Sequence, residues 1–364
     1  MGTLVRKKPR LGMPSLRGAV PALAVLAACL IAYATGSLRF LDDATSWQLG
    51  FSVLPQEPGD PYWRTLGISV LNTLVLAGVS IGAATVIGTI VALLAVTGHP
   101  LWSRLARGYV QLFRNMPLLV QALFWFAYVT HLPAPRRAFG FWGIHLSNRG
   151  LSLPVPTLAG WVVLGAALIG GAAALRASRA FEGRWVRRGA VVLTSMLFVA
   201  GLAKFALFAG QPAWDVPQLA GFNFDGGLTV ATELIAMVIA LSMFGSAYVA
   251  EIVRGGFATV PKGVIEAARA LALPWWALEV KVRAPLALRA IILPLGSQYT
   301  VLVKATSIGL AVGFTDLFAV TMMSINQSGH TVALLCVMTT GFVVLNQVVV
   351  SAASALDRAF ALPT

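Results

Sequence analysis

Apolar runs of about twenty residues, separated by shorter polar segments, dominate this chain. A transmembrane helix needs about that length, whereas strands of a membrane β-barrel alternate over about ten residues. The pattern therefore predicts an all-α integral membrane protein with about eight transmembrane helices. The predicted spans cover residues 18–38, 66–96, 117–130, 157–175, 189–208, 228–250, 290–312 and 332–356.

The polar segments divide the chain into four parts. Residues 1–65 hold a basic N-terminus, the first span and an external loop, and residues 66–130 hold the next two spans. Residues 131–227 hold two external loops and a further pair of spans. Residues 228–364 hold the remaining spans, and the loop between the first two of these covers about 251–289. Near the end of the seventh span, Gly309 and Gly313 favour a helix break, and a short external helix is expected at 316–324.

Composition agrees with a membrane protein. The chain has 364 residues, of which 58% are hydrophobic and 11% charged, against about 25% charged residues in soluble proteins. The net charge of +14 could suggest nucleic acid, but the basic residues lie in short segments between apolar runs, as membrane orientation requires. Cys29 and Cys336 lie inside apolar runs, so they provide neither a disulfide framework nor a metal-ligand cluster.

The distribution of lysine and arginine predicts the orientation. The N-terminal segment is basic, and most other basic residues fall in segments that the eight spans place on the same side. The opposite side holds Arg39, Arg64, Arg136, Arg137 and Arg149. The positive-inside rule therefore predicts that both termini and the 251–289 loop are cytoplasmic. A basic segment before an apolar run also fits a cleaved signal peptide, but the run is long enough to span, which favours an uncleaved first helix.

A charged island, EAARALALPWWALEVKVRAP, fills residues 266–285 between two apolar runs. Pro261 stands where a helix could begin, and Pro274 and Pro285 interrupt the residues after it. The pattern predicts a short helix, a break and a second short helix. Such a segment fits poorly in lipid but well on a cytoplasmic face, where it could insert into another protein. An ordinary amphipathic loop helix is the alternative.

The sequence of this island resembles the EAA loop of ATP-binding-cassette (ABC) importer permeases. The likeness starts at Glu266-Ala267-Ala268 and continues to 282–285, although Ala272 replaces the family's glycine and Val-Arg-Ala-Pro replaces Ile-x-Leu-Pro. Three further segments are similar to the polar amino acid subfamily, and most like its general L-amino acid type: LFRNMPLLVQ at 112–121, AYVAEIVRGGF at 247–257 and KATSIG at 304–309. The resemblance covers about 66–130 and 228–356.

The resemblance implies the fold of a type I ABC importer transmembrane domain. The five-helix family core would carry an extra N-terminal helix and an inserted helix pair. The chain would be the permease subunit of an ATP-driven importer of polar or general L-amino acids in the bacterial inner membrane. Its implied partners are a dimer of ATP-binding subunits, a second permease that is a copy or a paralogue, and a periplasmic amino-acid-binding protein.

The resemblance also implies roles for four residues of the loop. The helix at 264–273 would dock into a groove of the ATPase, with Ala267 and Ala268 supplying a small surface for close packing. Ala272 would still be small enough, although it lacks the backbone freedom of glycine. Glu266 would contact the partner or cap the local helix. The chain has no GxxxxGK[ST] sequence, so ATP and magnesium are assigned to the partner and no cofactor to this chain.

Two ionisable residues in the predicted spans are candidates for the substrate path, because a charge inside a membrane is costly unless it has a function or a partner. Glu233 lies near the external end of the sixth span, and the alternative is a solvated interfacial carboxylate. Lys304 lies deep in the seventh span, and the alternative is a structural pairing. Lys204 lies close enough to a helix end to extend its ammonium group to the interface.

Three other functions compete with ATP-driven import. A secondary transporter or channel would need an ion gradient and no ATPase partner. A structural subunit of the same fold would not transport, and the departures at Ala272 and Ala284 keep that alternative open. A membrane-embedded enzyme is disfavoured because the sequence contains no HExxH, CxxC or GxSxG motif and its carboxylates are scattered.

Overall fold

The computed structural model describes residues 38–96, 99–157 and 214–360, together with scattered positions between 160 and 212. Helices dominate the described part of the chain. The longer ones are α1 (Tyr62–Val96), α2 (Pro100–Asn115), α3 (Leu118–Thr130), α4 (Thr232–Ala258), α5 (Lys262–Ala270), α6 (Ala284–Ala305), α7 (Leu317–Ser328) and α8 (Thr331–Ala359).

Four segments of the described part are long and apolar enough to cross a membrane. They are α1, α4, α8 and the segment Leu278–Val312, which contains α6. Helices α2 and α3 pass the same test only as a pair, and the pair is bent by 101°. The described residues therefore hold four spans, or five if the bent pair forms one, as in the expected five-helix core. The spans predicted at 18–38, 157–175 and 189–208 lie wholly or largely outside the described residues.

Proline causes the bend between α2 and α3. A residue before proline avoids the helical region, and Met116, which precedes Pro117, is extended at φ −82° and ψ 125°. The buried amide of Gln121 donates to the carbonyls of Phe113 and Met116 at 3.1 and 3.0 Å, which satisfies the end of α2. The segment 99–116 is predicted to be a cytoplasmic connection between spans, and most of it forms the 16-residue helix α2.

The described residues form two compact units, and the first comprises those of 38–126 and 236–360 that the structure describes. Within it, α1 contacts α2, α6 and α7, and α8 packs against α6 and α7. Close approaches use small residues, since a Cβ atom at Gly88 would lie 2.7 Å from the Val249 side chain, and one at Gly296 would lie 2.5 Å from Ala353 Cβ. The Tyr109 hydroxyl also hydrogen-bonds Ser246 Oγ at 2.7 Å, which fixes α2 to α4.

The second unit comprises the described residues of 127–235 and adds short strands to the fold. The strands are β1 (Phe139–Phe141), β2 (Ile144–Ser147), β3 (Gly150–Leu153), β4 (Val155–Pro156), β5 (Trp214–Asp215), β6 (Gln218–Ala220), β7 (Asn223–Asp225) and β8 (Leu228–Val230). They form an antiparallel sheet in the order β1-β2-β3-β8 and two antiparallel ladders, β4-β5 and β6-β7. The regions expected as irregular external loops are therefore partly sheet.

Strand β8 also corrects the start of the sixth span. The span was expected from residue 228, but residues 228–230 pair with β3, and α4 begins at Thr232. Gly150 makes this pairing possible: its φ is +123°, and a Cβ there would lie 2.1 Å from the Val230 carbonyl oxygen. At its other end α4 continues to Ala258, so the loop expected from residue 251 begins only after that helix.

The end of α6 contains the expected break. The helix passes into a 3-10 helix, Thr306–Val312, which ends at Gly313 with φ +82°. Helix α7 comes next, and the buried Asp316 caps it by accepting a hydrogen bond from the Ala319 N–H at 2.9 Å. The short helix expected at 316–324 is thus present and extends to Ser328.

Candidate functional site

The predicted docking helix is α5, and a complete turn motif ends it. The N–H of Ala272 donates to the Arg269 carbonyl at 2.9 Å, and the N–H of Leu273 donates to the Ala268 carbonyl at 3.3 Å. These two bonds form a Schellman motif, in which the residue after the C-cap adopts the left-handed conformation and is usually glycine. Here that residue is Ala272, with φ +51°. The conformation costs a non-glycine residue about 1–2 kcal/mol, which explains why glycine suits this position.

The two alanines of the predicted small surface differ in burial. Ala267 is exposed, whereas Ala268 is only 4% exposed. Helix α5 contacts the π-helical turn Leu278–Arg283, which comes after a short helix at Trp275–Ala277. Burial of Ala268 therefore anchors α5 to its own chain, and of the pair only Ala267 is available to a partner.

Glu266 lies in the middle of α5 and is exposed. The helix begins after Pro261 without a side-chain cap, so Glu266 does not have the capping role that was one of its two expected functions. The remaining expectation is contact with a partner. In the described part of the chain no lysine or arginine forms an ion pair with Glu266.

Exposed apolar side chains lie in α5, which carries Glu266 and Ala267, and in the segment that comes directly after it. Leu271 is 76% exposed, and Val264, Trp276 and Val280 are also exposed. Exposed apolar groups beside charged ones mark surfaces that associate with another molecule. We call this set the coupling surface: Val264, Glu266, Ala267, Leu271, Trp276 and Val280.

Lys304 opens onto a cavity of about 640 Å³ between the end of α6, α7 and α8. We call it the Lys304 cavity. Its lining comprises Thr300, Lys304, Ser307, Phe318, Met338, Thr339, Phe342, Val343, Asn346, Gln347 and Val350. Among the residues that the structure describes, no carboxylate pairs with Lys304. The structural pairing that was the alternative for this lysine is therefore not formed in the described chain.

The cavity offers both a cation and an amide acceptor. The Asn346 Nδ2 donates to the Phe342 carbonyl at 2.7 Å, and its Oδ1 is buried without a hydrogen-bond partner among the described residues. The Ser307 hydroxyl donates to the backbone carbonyl of Lys304, and the Thr339 hydroxyl donates to the Leu335 carbonyl of its own helix. The Lys304 ammonium can donate to a carboxylate, and Asn346 Oδ1 can accept from an ammonium group. A zwitterionic amino acid therefore matches this pair, because its carboxylate can bind the Lys304 ammonium and its ammonium can bind Asn346 Oδ1.

The sequence interpretation missed Asn346 and Gln347. Both lie in α8, where they interrupt an otherwise apolar span. A polar pair inside a predicted membrane helix is itself a signal of a functional or packing role. Asn346 and Gln347 line the same cavity as Lys304 because α6 packs against α8, and the sequence pattern does not predict that packing.

Glu233 occupies a different environment. It lies in the first turn of α4 and is half-buried. A negative charge is favourable there, because the helix dipole places partial positive charge at the N-terminus. This placement fits the interfacial carboxylate that was the alternative to a role in the substrate path.

The sequence matches a known family over most of its length. The profile of the family described as "Binding-protein-dependent transport system inner membrane component" matches residues 84–361. The "Putative amino-acid ABC transporter permease protein YhdX" of Escherichia coli (strain K12) is 36% identical over 313 residues, which cover 82% of this chain and 78% of that protein. The "General L-amino acid transport system permease protein AapQ" of Rhizobium johnstonii is 37% identical over 311 residues, covering 82% and 77%.

A solved structure shares the fold. It is described as "Crystal structure of an amino acid ABC transporter with histidines" and superposes with a TM-score of 0.50 at 18% sequence identity. The match covers 82% of this chain and 94% of that one. The similarity supports a common helical architecture.

Proposed function

Because the chain belongs to the family of binding-protein-dependent transport system inner membrane components, we propose that it is the transmembrane subunit of an ATP-driven amino acid importer. Its relatives are described as permeases for amino acids, and two of them as a general L-amino acid permease and a glutamine permease. A general or polar L-amino acid is therefore the proposed substrate class.

The exposed coupling surface is the observation that carries this proposal. Helix α5 is too short to span a membrane and lies in the sequence between two spans, α4 and the segment Leu278–Val312. It presents Glu266 and Ala267 among uncovered apolar side chains, while Ala268 attaches it to its own chain. We assign it to docking on a separate ATPase subunit, which binds ATP and magnesium. Movement of the ATPase then shifts the population of two conformations of the spans.

The Lys304 cavity is the proposed binding site for the substrate within the spans. Every L-amino acid has a carboxylate and an ammonium group, and Lys304 and Asn346 supply one complement to each. A site that reads these two groups would accept many side chains, which agrees with a broad substrate class. Glu233 lies in the N-terminal turn of α4, and we assign it no contact with the substrate.

The proposed assembly contains two permeases, a dimer of ATP-binding subunits and an extracytoplasmic amino-acid-binding protein. The second permease is a copy of this chain or a paralogue. The proposed orientation places both termini and the coupling surface in the cytoplasm, and the basic residues of that loop support it. Lys262, Arg269 and Lys281 are exposed beside the coupling surface.

The test is co-purification combined with a charge reversal. Affinity purification of the chain from its native membrane should recover a nucleotide-binding subunit, and Glu266→Lys should remain in the membrane while uptake is uncoupled from ATP hydrolysis. Glu57→Lys makes the same charge change at an exposed carboxylate outside the coupling surface and should leave uptake unchanged. Normal uptake by Glu266→Lys in vesicles would refute the docking role.

The same purification separates the competing functions. A secondary transporter would move substrate in vesicles that contain this chain alone, and an ion gradient would drive that movement. A structural subunit would recover the ATPase, but replacing residues of the Lys304 cavity would not affect uptake.

A further inference from the structure

A second cavity of the first unit is strongly basic. It encloses about 610 Å³ between the end of α1, helix α2, the end of α4 and the π-helical turn. We call it the arginine cavity. Its lining comprises Ala95, Val96, Arg107, Val110, Gln111, Arg114, Asn115, Glu251, Arg254, Phe257, Ala258 and Arg283.

Its charges do not cancel. The one carboxylate of the lining, Glu251, accepts a hydrogen bond from Arg254 at 2.6 Å, and Arg283 pairs with Glu279 at 3.1 Å. No carboxylate of the described chain pairs with Arg107 or Arg114. These two guanidinium groups therefore remain available to an anion.

The free arginines lie together on one helix face. Arg107 and Arg114 are two turns apart on α2, and Gln111 lies between them on the same face. Arg107 contacts the Ser103 hydroxyl at 3.3 Å, and Arg114 lies over the Tyr248 ring at 5.2 Å, so both groups are held near the cavity. Arg283 adds a buried Nε that has no hydrogen-bond partner among the described residues. Planar guanidinium donors of this kind match the oxygens of phosphate.

The opposite side of α2 indicates where such an anion comes from. Leu101, Trp102, Leu105 and Leu112 of α2 are exposed apolar residues. The bend of 101° between α2 and the apolar helix α3 turns α2 across the direction of that helix. A helix with an exposed apolar face and a basic face is typical of the membrane–water interface, where its arginines meet anionic lipid headgroups.

We propose that the arginine cavity binds a phosphate group, and that this group belongs to the headgroup of an anionic phospholipid, held mainly by Arg107 and Arg114. The site is distinct from the Lys304 cavity and needs neither an amino acid nor ATP. Arg283 belongs both to this cavity and to the turn that contacts α5, so the lipid would stabilise the base of the coupling surface. The assignment to the inner leaflet rests on the proposed cytoplasmic orientation of the coupling surface.

Native mass spectrometry of the full chain tests the site without any transport assay. The purified protein is exchanged into detergent with equal amounts of phosphatidylcholine and phosphatidylglycerol, and retained lipids are counted. The double variant Arg107→Gln/Arg114→Gln is compared with Arg104→Gln/Arg289→Gln. The control removes the same charge from α2 and α6 at exposed residues outside the cavity. A parallel arm measures thermal stabilisation by inorganic phosphate in a lipid-free preparation.

The wild type and the control should retain phosphatidylglycerol preferentially, and the cavity variant should lose at least about tenfold of that preference. Equal lipid retention by all three proteins would overturn the proposal. Stabilisation by inorganic phosphate that only the cavity variant loses, without any preference for phosphatidylglycerol, would also overturn the lipid assignment and identify a site for a dissolved anion. Because neither arm contains the ATPase or an amino acid, failure here is separate from failure of the proposed transport function.

Discussion

The side-chain amide of Asn72 in α1 donates a hydrogen bond to the carbonyl oxygen of Thr315 at 2.8 Å, and the Asn72 side chain is fully buried. The same amide donates to the Phe51 carbonyl at 3.0 Å, and its oxygen accepts from the Val53 N–H at 3.0 Å. One side chain thus joins α1, the loop that precedes it and the turn that leads into α7. This junction fixes α7, which forms part of the Lys304 cavity wall.

Replacing this amide by an apolar group of similar size should destabilise the protein. Asn72→Leu leaves the buried Thr315 carbonyl without its partner and removes the part-buried bonds to the Phe51 carbonyl and the Val53 N–H. We expect this loss to lower the free energy of unfolding by about 2–4 kcal/mol. Thermal unfolding in detergent measures the loss. Asn223→Leu, at an exposed position of β7, is the matched control and should have little effect. Equal melting temperatures for the two variants would contradict the bridging role.

Asp316 should make stability depend on pH. Burial raises the pKa of its carboxyl group to about 6, compared with about 3.9 in an unfolded chain. A raised pKa in the folded state means that the folded protein binds the proton more tightly. Stability is therefore greatest below pH of about 4, falls as the pH rises toward 6 and is level above that. Asp316→Asn keeps an acceptor for the Ala319 N–H and should lack this fall when melting temperatures are compared across pH.

Ala272 should gain from replacement by glycine. Its φ of +51° is unfavourable for alanine, and Ala272→Gly removes that strain at some cost in chain entropy. We expect the end of α5 to be more stable by about 0.5–1 kcal/mol. Hydrogen exchange of residues 262–273 should slow in this variant. Ala267→Gly, inside α5, should accelerate exchange in the same peptide, because glycine weakens a helix interior by about 1 kcal/mol. Faster exchange in Ala272→Gly would show that the left-handed turn is not strained.

Lys304 should govern uptake through its charge. Lys304→Met removes the cation of the Lys304 cavity, and the loss of a charge-assisted hydrogen bond of about 1.5–3 kcal/mol should reduce uptake at low substrate concentration by at least about tenfold. Lys304→Arg should retain part of the activity. Thr339→Val, in the same cavity, is the control, because that hydroxyl donates to the Leu335 carbonyl of its own helix. The measurement is uptake in proteoliposomes that contain the whole transporter, and an undiminished rate in Lys304→Met would remove Lys304 from the substrate path.

The long membrane-spanning helices could be predicted from the sequence, whereas the short strands and helix α2 could not. Apolar runs predict the spans of α1, α4, α6 and α8, and glycines predict the helix break near Gly313. The strands of the second unit have two to four residues each, which is too short for a visible alternation. Helix α2 was not predicted because its arginines suggested a polar connection between spans. Their spacing on one helical face is the signal that would have indicated a helix.

The candidate site was predicted in outline and corrected in detail. The motif around Glu266 predicted a short helix, which is present as α5, but a sequence motif does not say which of two adjacent alanines faces inward. That depends on how α5 contacts the turn Leu278–Arg283. Lys304 was found because a charge within a span is rare, whereas Asn346 became significant only through the packing of α6 against α8.

The most direct test of the account is the accessibility of neighbouring cysteines at Ala267 and Ala268. Each is introduced into a chain in which Cys29 and Cys336 have been replaced, and a membrane-impermeant thiol reagent is applied to intact cells and to inside-out vesicles. Ala267→Cys should be labelled only in inside-out vesicles and should be protected when the ATPase subunit is assembled, whereas the buried Ala268→Cys should remain unlabelled. Labelling of Ala267→Cys in intact cells, or equal labelling with and without the ATPase, would contradict the account.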